Sequence, residues 1–271
     1  MISGNRFIEQ LRWWRKRRGL SQLGLAHLAE ISQRHLSFLE VGRAGPSREM
    51  VLRLSAALEL PLRQQNALLL AAGYAPVWGE NELGGPELSL VNRALDHMLA
   101  QQEPFPALVV DRRWNVLREN DGSQRLTSFL NDTPKRAANP DDPVNLADVL
   151  LAPDILRPLI TNWPDVAGAF VRFVQADAQA DGSVETAALL DRLLGYPDVP
   201  KPFAIARIEE PREPVLTIEF VKDGIPLRMF TTIATLGTPQ DVTAQEIRIE
   251  SFFPSDGATA EIFRRWAKVE G

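Results

Sequence analysis

The chain has 271 residues, of which 45% are hydrophobic and 24% charged, and a net charge of −5. That is the composition of a globular protein long enough for two domains, and it argues against wholesale disorder. With no cysteine and only three histidines, disulfides, thiol catalysis and Cys-ligated zinc are excluded, and a His-rich metal site lacks ligands.

The charge is unevenly spread. Residues 1–75 hold 11 Lys/Arg against 5 Asp/Glu, a net +6, and the remainder carries −11. A basic head on an acidic body puts the positive field where a polyanion would sit. No apolar run reaches the ~18 residues of a membrane span. The start, MISGNRFIEQLRWWRKRRG, lacks the apolar stretch of a signal peptide. A cytoplasmic protein with no membrane partner is expected.

In chain order, the first helix runs from about Arg6 to Arg18, with Phe7, Leu11 and Trp14 on one apolar face. Gly19 ends it after a basic last turn. Ser21 caps a second helix, with Leu20 before it and Leu25 inside it as a hydrophobic staple. Ser32 repeats the arrangement with Ile31 and Leu36. Two caps eleven residues apart leave room for one short helix and a turn. The third helix spans about Gln33 to Val41, with Gln33, Arg34, Ser37, Phe38 and Val41 on one arc and Leu36, Leu39 and Glu40 opposite. Pro46 and Ser47 open a fourth helix, and Pro61 separates it from a fifth over about 62–72.

The run SQLGLAHLAEISQRHLSFLEVGR thus reads as a helix-turn-helix, whose second helix enters the DNA major groove. The head resembles the lambda-repressor-like, XRE-family DNA-binding domain over about its first 70 residues. The resemblance implies a five-helix all-α fold and double-stranded DNA as partner. It gives Gln22 a phosphate-binding and bracing role and brings Gln33 and Arg34 to the bases, with Ser37 and Phe38 on the same face and the capping Ser32 also expected at the DNA. It brings Arg43 to the backbone and pairs Arg15 with Glu40. Gln suits the N6/N7 edge of adenine and Arg the O6/N7 edge of guanine. One departure is Glu30, where the family's turn carries Gly; a non-Gly residue at positive φ costs ~1 kcal/mol.

Residues 76–87 form a Gly- and Pro-rich linker. The body, 88–271, then reads as a helix over 88–102 and two strands within PALVVDRRWNVLREN. A helix over 120–130 and a polar loop over 131–143 follow. Helices are expected at about 145–151, 154–161, 164–179 and 184–194. The period then changes to strands at 215–221, 227–236 and 246–253, and a helix over 258–268 closes the chain. This is an α+β arrangement.

The segments EPFPALVVDRRWNVLREN, ITNWPD and especially FTTIATLGTPQDVTAQEIRIESFFPSDGATA are similar to the ligand-binding domain of MmyB-like transcription regulators, which has a PAS-like fold. The resemblance implies a sensor: a small-molecule effector sits between sheet and helices and alters DNA binding. It leaves the ligand open, and a lipid-like or otherwise apolar molecule is the preferred class. Pockets are mostly apolar with a few placed polar groups. Trp114, Asn120, Asn162, Trp163, Phe170, Phe230 and Thr232 fit that description. Each aromatic fits a plain core position better than a ligand contact, and Asn162 equally fits a helix cap ahead of Trp163 and Pro164. Asp241 reads as a turn cap.

No Ser–Lys motif, GxSxG, P-loop or GxGxxG occurs, and no cofactor is expected. The reading is a sequence-specific transcription regulator rather than an enzyme. It would act as a homodimer, because paired half-sites raise affinity and selectivity. The alternatives are a body that turns over its ligand and a body that only docks other proteins.

Overall fold

The computed structural model describes residues 2–130, 143–201 and 214–269. The chain divides into two compact units: Met1–Glu82 with Thr238–Gln245, and Leu83–Gly237 with Glu246–Gly271.

The first unit holds helices α1 (Ile2–Arg17), α2 (Gln22–Leu28), α3 (Gln33–Glu40), α4 (Arg48–Ala57) and α5 (Leu62–Ala71). Three serines start three of them. Ser21, Ser32 and Ser47 each take an extended backbone and accept a hydrogen bond from the amide three residues on. The turn between α2 and α3 closes with Ile31 N–H donating to Ala26 O and Glu30 N–H to His27 O. Glu30 sits there at φ 53°, so the position that lacks the family's Gly does adopt the left-handed conformation. Phe7, Leu11, Trp14, Leu25, Leu36, Leu39, Leu54 and Leu68 form the core of these helices.

Thr238–Gln245 completes this unit from far along the chain. Asp241 caps the short helix α11 (Val242–Glu246) by accepting from Ala244 N. Its other oxygen accepts from Asn81 N at 3.1 Å and Asn81 Nδ2 at 2.9 Å. Gln245 Oε1 takes the first amide of α5, Leu62 N, at 2.7 Å. Pro61, at the cap position, makes no side-chain bond to it. Five residues give no readable period, so α11 is not visible in the sequence pattern.

The second unit is a five-stranded antiparallel sheet with helices. Its strands are β1 (Ala107–Val110), β2 (Val116–Glu119), β3 (Ile218–Lys222), β4 (Ile225–Ala234) and β5 (Arg248–Pro254), in the order β2-β1-β5-β4-β3. Its helices are α6 (Ser89–Gln102), α7 (Asp121–Leu130), α8 (Leu146–Leu151), α9 (Trp163–Asp181), α10 (Val184–Leu194) and α12 (Gly257–Val269).

Alternation along the strands divides the apolar residues between two cores. Ala107, Val109 and Ile249 pack with Leu95 and Leu99 of α6. Leu108, Val110, Phe220, Leu227, Met229 and Phe252 join the larger core of α7–α10 and α12. The helix expected over 154–161 is absent. Only a short 3-10 turn, Arg157–Leu159, forms there. Pro158 has no amide to continue a helix, and Ile160 instead bridges Phe220 of β3. The loop expected over 131–143 lies, except for its last residue, outside the described residues.

Candidate functional site

In the first unit α3 presents two contrasting faces. Leu36, Leu39 and Glu40 are buried, Ser32, Gln33 and Arg34 are exposed, and Ser37 and Phe38 are half-buried. Ser32 Oγ is engaged as the cap, accepting from His35 N at 3.1 Å. The Arg34 guanidinium lies 5.3 Å from the centre of the Phe38 ring, one turn along. That stacking holds a planar donor fork on the outer face. Arg43 is exposed beyond Gly42, which turns the chain at φ 75°.

The inner face is fixed by one buried carboxylate. Glu40 is 1% exposed. Arg15 grips it with two bonds, Nε to Oε1 at 2.6 Å and Nη2 to Oε2 at 3.0 Å, while donating Nη1 to Leu20 O at 2.9 Å. Gln22 Nε2 adds a bond to Oε2 at 2.7 Å. Burial alone would raise the Glu40 pKa. The bonds from Arg15 and Gln22, with the charges of Arg15 and Arg12, outweigh it and hold the carboxyl below its usual range. One glutamate thereby ties α1 and α2 to the end of α3. Arg18 is also engaged internally, donating to Leu58 O and Glu59 O beyond α4. Arg12, Lys16 and Arg17 remain exposed.

In the second unit a cavity of about 520 Å³ lies between the sheet and the helices. Its sheet wall is Leu108, Val116, Glu119, Ile218, Phe220, Thr231, Ile233, Glu250 and Phe252. Its helical wall includes Ser123, Leu126, Leu130, Leu146, Leu150, Val166, Phe170 and Phe173. Exposed apolar residues at Val144, Phe173, Val215 and Leu216 mark its rim.

Trp114 and Phe170 are wall residues, with ring centres 4.7 Å apart. Trp114 is 1% exposed and sits at φ 67°. Asp111 enforces that strained turn by accepting from Arg113 N, Asn115 N and Asn115 Nδ2. The remaining five residues named from the sequence do not line the cavity. Asn120 ties the start of β1 to α7, accepting from Ala107 N and Ser123 N and donating to Phe105 O. Asn162 clamps the chain at β3 through Thr217 O and Glu219 N. Trp163 is core, with its indole N–H on Leu150 O. Phe230 and Thr232 lie one residue out of phase: they pair with Phe253 and Ser251 on the other face of the sheet. Their neighbours Thr231 and Ile233 line the cavity instead.

Glu250 is a buried acidic wall residue that sequence reasoning also missed. It stands opposite Leu108 on one side and Ile233 on the other, and is 8% exposed. Thr231 hydrogen-bonds its carboxyl, and its Oε2 has no partner among the described residues. Burial pushes its pKa up to about 7, against a smaller opposing effect of Thr231. The available signal is one acid set among Ile249, Phe252 and Phe253 in the strand RIESFFP. Ile249 and Glu250 are both buried, so the strand lacks the alternation that would have assigned a face.

Among the described residues no cluster of His, Cys, Asp and Glu could hold a metal ion, and no helix is long and apolar enough to cross a membrane. No curated protein matches the chain. Two family models do: a helix-turn-helix over residues 11–65, and the MmyB-like transcription regulator ligand binding domain over residues 91–265. Both families are regulatory. With the second match covering well over half its length, the chain belongs to the MmyB-like transcription regulators, DNA-binding proteins that join a helix-turn-helix to a ligand-binding domain.

Proposed function

We propose that this regulator is a cytoplasmic homodimer that reads its operator through α3 and releases or engages it according to whether a small apolar molecule fills the cavity of the second unit. The cavity carries the reading. A space of about 520 Å³ walled chiefly by aliphatic and aromatic side chains is the size and character of a small-molecule site. On the DNA side, Gln33 and Arg34 supply discrimination, with Ser37 and Phe38 beside them. Arg43 and Gln22 contact phosphates, as do the exposed basic residues of α1. Phosphate contacts set strength and register, and base contacts set sequence.

A direct test combines native mass spectrometry with a DNA-shift assay. The full chain, purified gently, should carry a bound apolar mass that survives unchanged. Stripping it should alter the salt-matched affinity for a selected operator. A chain that never holds such a mass, with the same affinity before and after stripping, would remove the sensor reading. Sedimentation of the protein–DNA complex tests the dimer, which requires two copies per operator.

A further inference from the structure

We propose that Glu250 is the polar anchor of the cavity and that it selects an uncharged, chiefly apolar molecule bearing one hydrogen-bond-donating group, such as a hydroxyl, over the same apolar body ending in an anion. This rests on the reading of the cavity as the effector site.

Three observations converge. First, Oε2 of Glu250 has no partner among the described residues, although its side chain is on the cavity wall and more than nine-tenths buried. A buried acceptor left unmade is unfavourable, and a donor brought in by the occupant would satisfy it. Second, the described wall contains no Lys, Arg or His; its two ionisable members, Glu119 and Glu250, are both acids. An anion entering would lose its water, gain no counter-charge from the described wall and face a carboxyl. Third, the cations on the same face of the sheet are already committed. Arg248, two residues before Glu250, binds Asp177 at 2.5 Å and lies over the Trp114 and Phe173 rings. Lys222 Nζ donates to Phe129 O at 2.6 Å. Glu119 is likewise occupied, accepting from Ser123 Oγ at 2.9 Å.

The carboxyl of Glu250, with its pKa near 7, offers an acceptor whether protonated or not. An occupant that donates to it favours the ionised form, so binding below pH 7 should release protons.

The test uses the full chain with two probes of equal length, 1-decanol and decanoate, measured by calorimetry at pH 8. An uncharged environment-sensitive dye reports occupancy independently. Decanol should bind at least about tenfold more tightly than decanoate, the factor expected for one satisfied buried hydrogen bond. Glu250→Gln, which keeps shape and adds an amide donor, should shrink the gap to below about threefold by improving decanoate. Glu250→Leu should weaken decanol and leave the dye unchanged, which also shows that the variant is folded. Equal affinities in the wild-type chain, or a preference undiminished by Glu250→Gln, would overturn the anchor while leaving an apolar cavity intact. Failure of both probes and the dye to enter would instead overturn the effector-site reading itself.

Discussion

Glu40 in the first unit and Glu250 in the second are both buried carboxyls, 1% and 8% exposed, yet their surroundings differ in every respect. Glu40 is held by a bidentate arginine and an amide, and its pKa is lowered. Among the described residues Glu250 has one hydroxyl partner, Thr231, and an oxygen without a partner, and its pKa is pushed up to about 7. Removing a charge from water is tolerated when its partners are built in. Where the fold leaves a partner out, something else has to supply it. The first glutamate is therefore architecture, and the second is a site.

The sharpest way to break this comparison is to remove the partner of Glu40. Arg15→Ala strands a buried carboxylate and should lower the stability of the first unit by about 3–5 kcal/mol, read by urea denaturation. Loss below about 1 kcal/mol would place the pair among weak surface bridges. Because the Glu40 pKa is depressed, its stabilisation is present above the unfolded value of 4.5 and is lost as pH falls through its folded value.

Glu250 should behave with the opposite sign. Its folded pKa, about 7, lies above the unfolded 4.5. Below pH 4.5 both states are protonated and no penalty exists. As pH rises from 4.5 to 7 the unfolded chain ionises first and stability falls, levelling off above 7. The gap amounts to about 3 kcal/mol. Glu250→Gln should therefore stabilise the empty protein by up to that amount at pH 8 and change little at pH 4. A Glu250→Gln chain no more stable than the wild type at pH 8 would mean that the carboxyl is already satisfied.

The same contrast explains what could be read from the chain. The first unit is built from local rules, so Ser21, Ser32 and Ser47 announce their helices, and even the left-handed turn at Glu30 is visible within a few residues. The cavity depends on which face each strand residue takes. In FTTIATL, apolar and small polar residues occur at both parities. A one-residue slip therefore moved the choice from Thr231 and Ile233 to Phe230 and Thr232. Asn120 and Asn162 were recognisable as placed polar groups, but, apart from Ser123 N beside Asn120, their partners are backbone atoms 13 to 57 positions away. No local pattern distinguishes that bracing from contact with a ligand.

Smaller effects test the outer face of α3, where charge faces solvent rather than the core. Arg34→Ala should relax preference at one base position by about 1–3 kcal/mol, measured by shift assays on single-substitution operators. Unchanged selectivity would exclude it from base readout. Phe38→Leu is a useful companion. It removes the ring on which Arg34 stacks while keeping apolar bulk, so it should lose part of the same selectivity without unfolding α3.

The smallest expected change separates the arginines of the first unit by what they touch. Arg15 and Arg18 spend their donors on Glu40 and on backbone carbonyls, so they add structure and little to salt dependence. Arg43 is exposed in the turn after α3, where its own amide donates to Phe38 O at 2.8 Å and fixes the backbone. A side chain anchored at its base and free at its tip is suited to a phosphate. Each phosphate neutralised releases condensed counterions, so Arg43→Ala should weaken all sequences alike and reduce the slope of log K against log salt by about one. A slope equal to the wild type's would move the phosphate contact to the exposed basic residues of α1, Arg12 and Lys16. Their substitution should then show the missing unit of slope.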